Sequence, residues 1–387
     1  MKIMVVYATA GSGHRRAAEA IYHCLEKNYP ELNINIVDIL EYTNFLFANS
    51  YSRGYSFLVT HLKLIWAINF YLTGLKYVSL LFKFICRLNC SRFINLLDEK
   101  KPDIVLTTHF FPAEVIAYLK QKRKIDSRLV TIVTDFGLHP LWVVQYCDDY
   151  IVASDYTRKL LISRGIKQDK IRVGGIPIDS GFLGICQEDR RRQGFISHLR
   201  RFIPQLIKDT WFKKDNKDEF HKDTMLTALV VTGAFGFSFI EKVVDILHSD
   251  MNLLVVCGNN QRLYNRLARK RYDGVGLFGF TDQMPRLMSQ VDLLITKPGG
   301  LTIAEALALE LPLIFICSIP GQEAENARIL EIQGCAIKAN NLKSLKDIII
   351  DLKAHPERLD LMRANIRKIR KPNAAEEICR YVCSSSI

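Results

Sequence analysis

The chain has 387 residues, more than one ordinary hydrophobic core holds, so two domains are expected. Apolar residues make up 49% and charged residues 24%, which excludes a disordered or low-complexity protein. The formal net charge of +13 calls for an anionic partner: nucleic acid, a membrane surface or phosphorylated substrates.

The first element is a short apolar strand, "KIMVVYA", running into Gly11-Ser12-Gly13-His14 and then a helix. The glycines bring backbone N–H groups close to a ligand and the helix directs its positive end the same way, so the turn reads as an anion or nucleotide site. His14 in such a turn is a base, a phosphate partner or a helix-start residue. The apolar run is too short for a signal peptide, and the ten cysteines contain no Cys-x-x-Cys pair, which fits buried free thiols in a reducing cytoplasm. Further apolar runs, "NINIVDI", "PDIVLTTH", "RLVTIVTD", "DYIVASD" and "KIRVGGIP", alternate with helical patterns.

Residues 42–97 break that alternation. They are strongly apolar and aromatic, but Asn69, Lys76, Lys83 and Arg87 recur at helical spacing as one polar stripe. Lysines at that spacing disfavour a spanning helix and suit one lying in a membrane interface; packing on the first sheet is the alternative.

After "GGIPID" comes a basic segment, and residues 178–225 read as linker plus insertion. The alternation then resumes with "TALVVTGAFG", "NLLVVCGNN", "GVGLFGFT", "VDLLITKPGG" and "LPLIFICS". Continuous apolar strands separated by helices mean parallel sheets covered on both faces. The expected class is therefore α/β, with two Rossmann-like doubly wound domains, residues 1–177 and 226–372, facing a cleft.

Residues 294–330 carry the most chemistry. A strand ends in Lys297-Pro298-Gly299-Gly300 and a helix begins near Leu301 and Thr302. Free N–H groups at its start suit a diphosphate without a metal. Glu305, one turn in, can accept two ribose hydroxyls, and Gln322 and Glu323 suit sugar hydroxyls. No Asp-x-Asp triplet is present to hold a metal.

The blocks "GSGHRRAAEAI", "TDFGLHPLW", "VVCGNNQRLYNRL", "TKPGGLTIAEAL" and "IPGQEAENA" resemble those of the monogalactosyldiacylglycerol synthase and processive diacylglycerol glucosyltransferase family. The resemblance runs along nearly the whole chain except the basic insertion. It implies a glycosyltransferase B-type (GT-B) fold, with a C-terminal helix, residues 373–387, returning to the first domain. It implies an inverting enzyme moving glucose or galactose from a UDP-sugar to diacylglycerol. In that reading His14 is the base and Asp135 its acidic companion, while His109, His139 and Trp142 bind the acceptor. Donor contacts fall to Gly13, Gly233, Gly236, Phe280, Thr281, Lys297, Gly299, Gly300, Leu301, Thr302, Glu305, Gln322 and Glu323. Ala234, Phe235 and Pro298 depart from the family pattern. Lys76, Lys83 and Arg87 are expected to meet anionic membrane lipids at the cytoplasmic face. No cofactor, metal or nucleic acid is expected. The alternatives are a UDP-N-acetylglucosamine-dependent transferase with a polyprenyl-linked acceptor, and a non-catalytic sugar-nucleotide sensor at the membrane.

Overall fold

The structure is a computed structural model that describes residues 1–9, 11–183, 225–231, 239–316, 318 and 320–384, without the side chains at 52, 53, 55, 56, 59–61, 63 and 76. The first half runs β1 (Lys2–Tyr7), α1 (Ser12–Asn28), β2 (Asn33–Asp38), α2 (Phe45–His61), α3 (Lys63–Thr73), α4 (Lys76–Leu88), α5 (Ser91–Lys100), β3 (Ile104–Thr107), α6 (Phe110–Gln121), β4 (Arg128–Ile132), β5 (Asp149–Val152), α7 (Asp155–Ser163) and β6 (Ile171–Val173). Its six strands form one parallel sheet in the order β2-β1-β3-β4-β5-β6.

The second half runs β7 (Thr227–Val231), α8 (Phe239–Leu247), β8 (Asn252–Val256), α9 (Gln261–Lys270), β9 (Val275–Phe278), α10 (Met284–Ser289), β10 (Leu293–Thr296), α11 (Gly300–Ala308), β11 (Leu313–Phe315), α12 (Gln322–Ile332), β12 (Ala336–Lys338), α13 (Leu342–Ala354), α14 (Glu357–Ile369) and α15 (Ala374–Ser384). Its parallel sheet has the order β12-β11-β10-β7-β8-β9.

The inner strands are buried along their whole length, as "IVLT" in β3 and "TALVV" in β7 illustrate, because helices cover both faces. Each fully buried Val, Leu or Ile contributes about 1.5–3 kcal/mol. Ile378, Cys379 and Val382 of α15 share a core with Ile21 and Leu25 of α1, so the end of the chain packs on the first sheet. Ala17, Phe136 and Phe182 join the core under the second sheet, so apolar packing is continuous between the halves.

Strand order reverses beside β1 in the first sheet and beside β7 in the second, and ligands in such sheets bind at the carboxyl ends beside these points. The turn into α1 and the residues after β3 flank the first. The turn from β10 to α11 flanks the second.

Two expectations are corrected. The second sheet has a sixth strand, β12, in addition to the five apolar runs. The apolar stretch 42–97 is no continuous stripe-bearing helix: α3 and α4 meet at a 93° bend, so Asn69 and Lys83 stand on different helices. Among the described residues no single helix is long and apolar enough to cross a membrane.

Candidate active site

The His14 ring is held at Nδ1 by two groups. Its Nδ1 lies 2.8 Å from the Thr108 carbonyl and 2.8 Å from Thr134 Oγ1. A carbonyl only accepts, so Nδ1 carries the hydrogen and Nε2 keeps its lone pair. Thr108 also donates from Oγ1 to the His14 carbonyl at 2.8 Å, clamping the residue at both ends. Burial lowers the imidazole below its ordinary value, against the opposing pull of Asp135 and the Thr108 hydrogen bond. The ring is therefore neutral at pH 7 and able to accept a proton.

Asp135 follows β4. Burial raises its carboxyl, and His14 and the Asn326 amide pull it back. Asn326 donates from Nδ2 to Oδ1 at 3.0 Å, while Gln322 Nε2 reaches Oδ2 at 3.5 Å.

The turn from β10 to α11, the expected donor turn, presses directly on this loop. A Cβ at Gly300 would stand 2.1 Å from the Thr134 carbonyl oxygen, so only glycine fits. At Gly13 a Cβ would lie 3.8 Å from Leu301 Cβ, bringing the starts of α1 and α11 together. Both helices, and α12, begin at a glycine with no side-chain cap, which leaves N–H groups for an anion. Gly321 before α12 has φ +100° and packs on the Phe70 ring of α3.

Glu305 is 3% exposed, and burial pushes its carboxyl up to about 7 despite Arg16, whose Nη1 reaches across from α1 to 3.7 Å. Lys297 pairs with Glu323. Thr302 lies on the first turn of α11, whereas Phe280 stands exposed before Thr281 in the loop after β9. Gly233 and Gly236 lie outside the described residues.

On the side expected to take the acceptor, His109 stacks edge-on against His14 with ring centroids 4.5 Å apart, and Trp142 lies 6.2 Å from His14. His109 accepts from Phe111 N–H at Nδ1, and burial holds it neutral. Tyr51, Phe82, Phe110 and Phe111 continue the aromatic lane from His109 toward α2 and α4. His139 is already spent on backbone: Nδ1 accepts from Leu141 N–H and Nε2 donates to the Phe70 carbonyl at 3.0 Å. It holds the end of α3 and has no free nitrogen for an acceptor.

The basic stripe is also corrected. Lys83 Nζ lies 2.8 Å from Glu114 of α6, Arg87 pairs with the same carboxylate, and the Lys83 and Arg87 side chains are only 14% and 28% exposed. A buried carboxylate draws both cations inward. The side chain of Lys76 lies outside the description. Instead, α4 turns Tyr77, Leu80, Leu81, Phe84 and Leu88 outward.

Sequence reasoning missed Thr108, Thr134, Arg16, Glu114 and Asn326. Arg16, Thr108, Thr134 and Asn326 all stood inside quoted stretches, but a threonine at a strand end and an arginine or asparagine on a helix ordinarily read as solvated.

Residues 14–178 match the family model of monogalactosyldiacylglycerol (MGDG) synthase, and residues 227–378 that of the glycosyltransferase family 28 C-terminal domain. The two matches lie on the two halves of the chain, which is a glycosyltransferase. The glycosyltransferase is 28% identical over 398 residues to the processive diacylglycerol beta-glucosyltransferase of Staphylococcus epidermidis (strain ATCC 12228), covering 98% of this chain and 91% of that one. The same coverage and identity hold, over 397 residues, for the protein of that name from Staphylococcus haemolyticus. Among solved structures, MurG of Acinetobacter baumannii superposes with TM-score 0.58 at 14% identity over 99% of both chains. The lipopolysaccharide outer core galactosyltransferase WaaB gives 0.52 at 14% identity over 100% of both. The glycosyltransferase thus has the GT-B fold.

Proposed function

We propose that this glycosyltransferase moves a hexose from a UDP-sugar to the free hydroxyl of diacylglycerol, with inversion, as a peripheral enzyme at the cytoplasmic face of the membrane. The observation that carries the reading is the tautomer lock on His14. With Nδ1–H held by the Thr108 carbonyl, Nε2 is a neutral base beside an aromatic lane. An alcohol is far too weak an acid to ionise at neutral pH, so its proton must leave as the bond to the sugar forms. His14 takes it, and Asp135 supports the imidazolium.

On the other side of the cleft, Glu305 receives the ribose hydroxyls, and Gln322 and Glu323 the sugar. N–H groups of the first turn of α11, from Gly300 onward, stabilise the charge that develops on departing UDP, the Gly299 N–H being taken by the Lys297 carbonyl at 2.8 Å. The names of the relatives support diacylglycerol as the acceptor. The reading assigns no metal.

The test is incubation with dioleoylglycerol vesicles and each UDP-hexose or UDP-N-acetylglucosamine in EDTA, with the lipid product weighed by mass spectrometry. The expected product is diacylglycerol plus one or more hexose units. His14→Ala should lower turnover at least about a hundredfold while UDP still binds. Near-normal turnover of that variant, or no glycolipid from the parent, overturns the reading.

A further inference from the structure

Asn326 stands on α12, four residues after Gln322 on the same helix face, and is 0% exposed. Every hydrogen-bonding capacity of its amide is used. Oδ1 accepts from the Phe136 N–H at 2.9 Å and the Gly137 N–H at 3.1 Å. Nδ2 donates to Asp135 Oδ1 at 3.0 Å and to the Pro298 carbonyl at 3.1 Å. The backbone N–H groups only donate, so they fix which end of the amide faces Asp135. Three partners belong to the loop after β4 and the fourth to the donor turn. One side chain therefore ties the companion of the base to the structure that receives the diphosphate.

We propose that Asn326 is a positioning residue: it holds the Asp135 carboxylate ionised and directed at the His14 environment, in register with the donor turn. The inference rests on the reading of His14 as the base. A buried carboxylate needs hydrogen-bond donors to stay charged. The groups facing Asp135 are His14 on α1, Lys297 on the donor turn, and Gln322, Glu323 and Asn326 on α12. Lys297 is paired with Glu323. Gln322 makes only the longer contact, at 3.5 Å, and its amide is the one assigned to the sugar. Once sugar hydroxyls take that amide, Asn326 is the side-chain amide left to hold Asp135. The shared helix couples an occupied donor site to a correctly charged base pair.

Two variants test this, with vesicle-borne dioleoylglycerol and UDP-glucose as substrates. Asn326→Ala should lower kcat at least about thirtyfold with the KM for UDP-glucose within roughly threefold. In the same variant the His14 ring signal, assigned by its loss in His14→Ala, should titrate lower by up to about one pH unit, because a less ionised Asp135 no longer supports the imidazolium. Asn326→Asp keeps the acceptor for Phe136 and Gly137, and donates to Asp135 only while the carboxyl pair shares a proton. Its kcat should fall as pH rises through neutrality, where the parent's stays level.

An unchanged kcat in Asn326→Ala, an unmoved His14 titration, or a loss carried wholly by KM overturns the proposal. Should Asn326→Ala fail to fold, the alkaline loss in Asn326→Asp decides, and a flat profile there overturns it. If the parent makes no glycolipid, the functional reading fails instead, and the His14 titration still tests the Asn326–Asp135 link.

Discussion

Glu305 shows how much one residue's chemistry depends on where the fold puts it. Its carboxyl is pushed up to about 7 by burial, with Asp179 adding to the effect and Arg16 opposing it. Ribose hydroxyls donate hydrogen bonds, so binding favours the ionised form. The affinity for UDP-glucose, whose diphosphate does not titrate in this range, should therefore rise between about pH 6 and 8, with a proton released on binding near neutrality. Calorimetry in buffers of different ionisation heat measures that proton, and Glu305→Gln should bind with no such pH dependence. Equal affinity for the parent across the range would show that Glu305 is not the ribose acceptor. The sequence already made Glu305 and His14 legible, since each stands one turn or less after a glycine turn that ends a strand. It could not make their partners legible. Thr108 lies 94 residues from His14 and Asp135 lies 191 from Asn326, and only the folded sheet order brings them together.

Strands long enough to be apolar throughout announced themselves, because a strand buried on both faces has no polar alternation to blur it. β12, "AIK", is three residues long and carries too little pattern to be read. The helical spacing of Lys83 and Arg87 was read correctly as one face of a helix, but spacing does not say which face meets the core. Glu114, on a helix 27 residues further along, decides that in favour of the charged face. Between elements, the tightest constraint is the start of α11. Gly300→Ala places a Cβ against the Thr134 carbonyl, so either the donor turn or the loop bearing Asp135 must move. Misplacements of about 1 Å can cost about a hundredfold in rate. Gly300→Ala should thus lose at least roughly tenfold in transfer while melting as one folded protein. Parent-like turnover would mean the two backbones are free to separate.

At the scale of the molecule, the net charge of +13 and the basic stripe led the sequence reading to give anionic headgroups a share of membrane attachment beside apolar insertion. The structure redistributes that role. Lys83 and Arg87 neutralise Glu114, whereas Leu64, Ile65, Ile68, Tyr71 and Leu72 of α3 and Tyr77, Leu80, Leu81, Phe84 and Leu88 of α4 are exposed. An apolar surface of this extent marks an interaction site. The aromatic lane from α2 and α4 ends at His14, so a bilayer at this surface would deliver acyl chains at the mouth of the proposed acceptor route. Phe70 of α3 also packs on Gly321, beside Gln322 and Glu323. Burying a large apolar side chain is worth about 1.5–3 kcal/mol, against about 1 kcal/mol for a basic residue near anionic lipid, so insertion should dominate and charge should add a smaller, salt-sensitive share. Replacing Leu80, Leu81 and Phe84 together by serine should sharply reduce sedimentation with neutral phosphatidylcholine vesicles and lower transfer to vesicle-borne diacylglycerol, with the affinity for UDP-glucose unchanged. Salt at about 0.5 M should remove only part of the parent's binding to anionic vesicles, because the Debye length falls to a few ångströms while apolar contact persists. If salt strips the parent completely and the triple variant sediments like the parent, attachment is electrostatic and these helices are not the docking face.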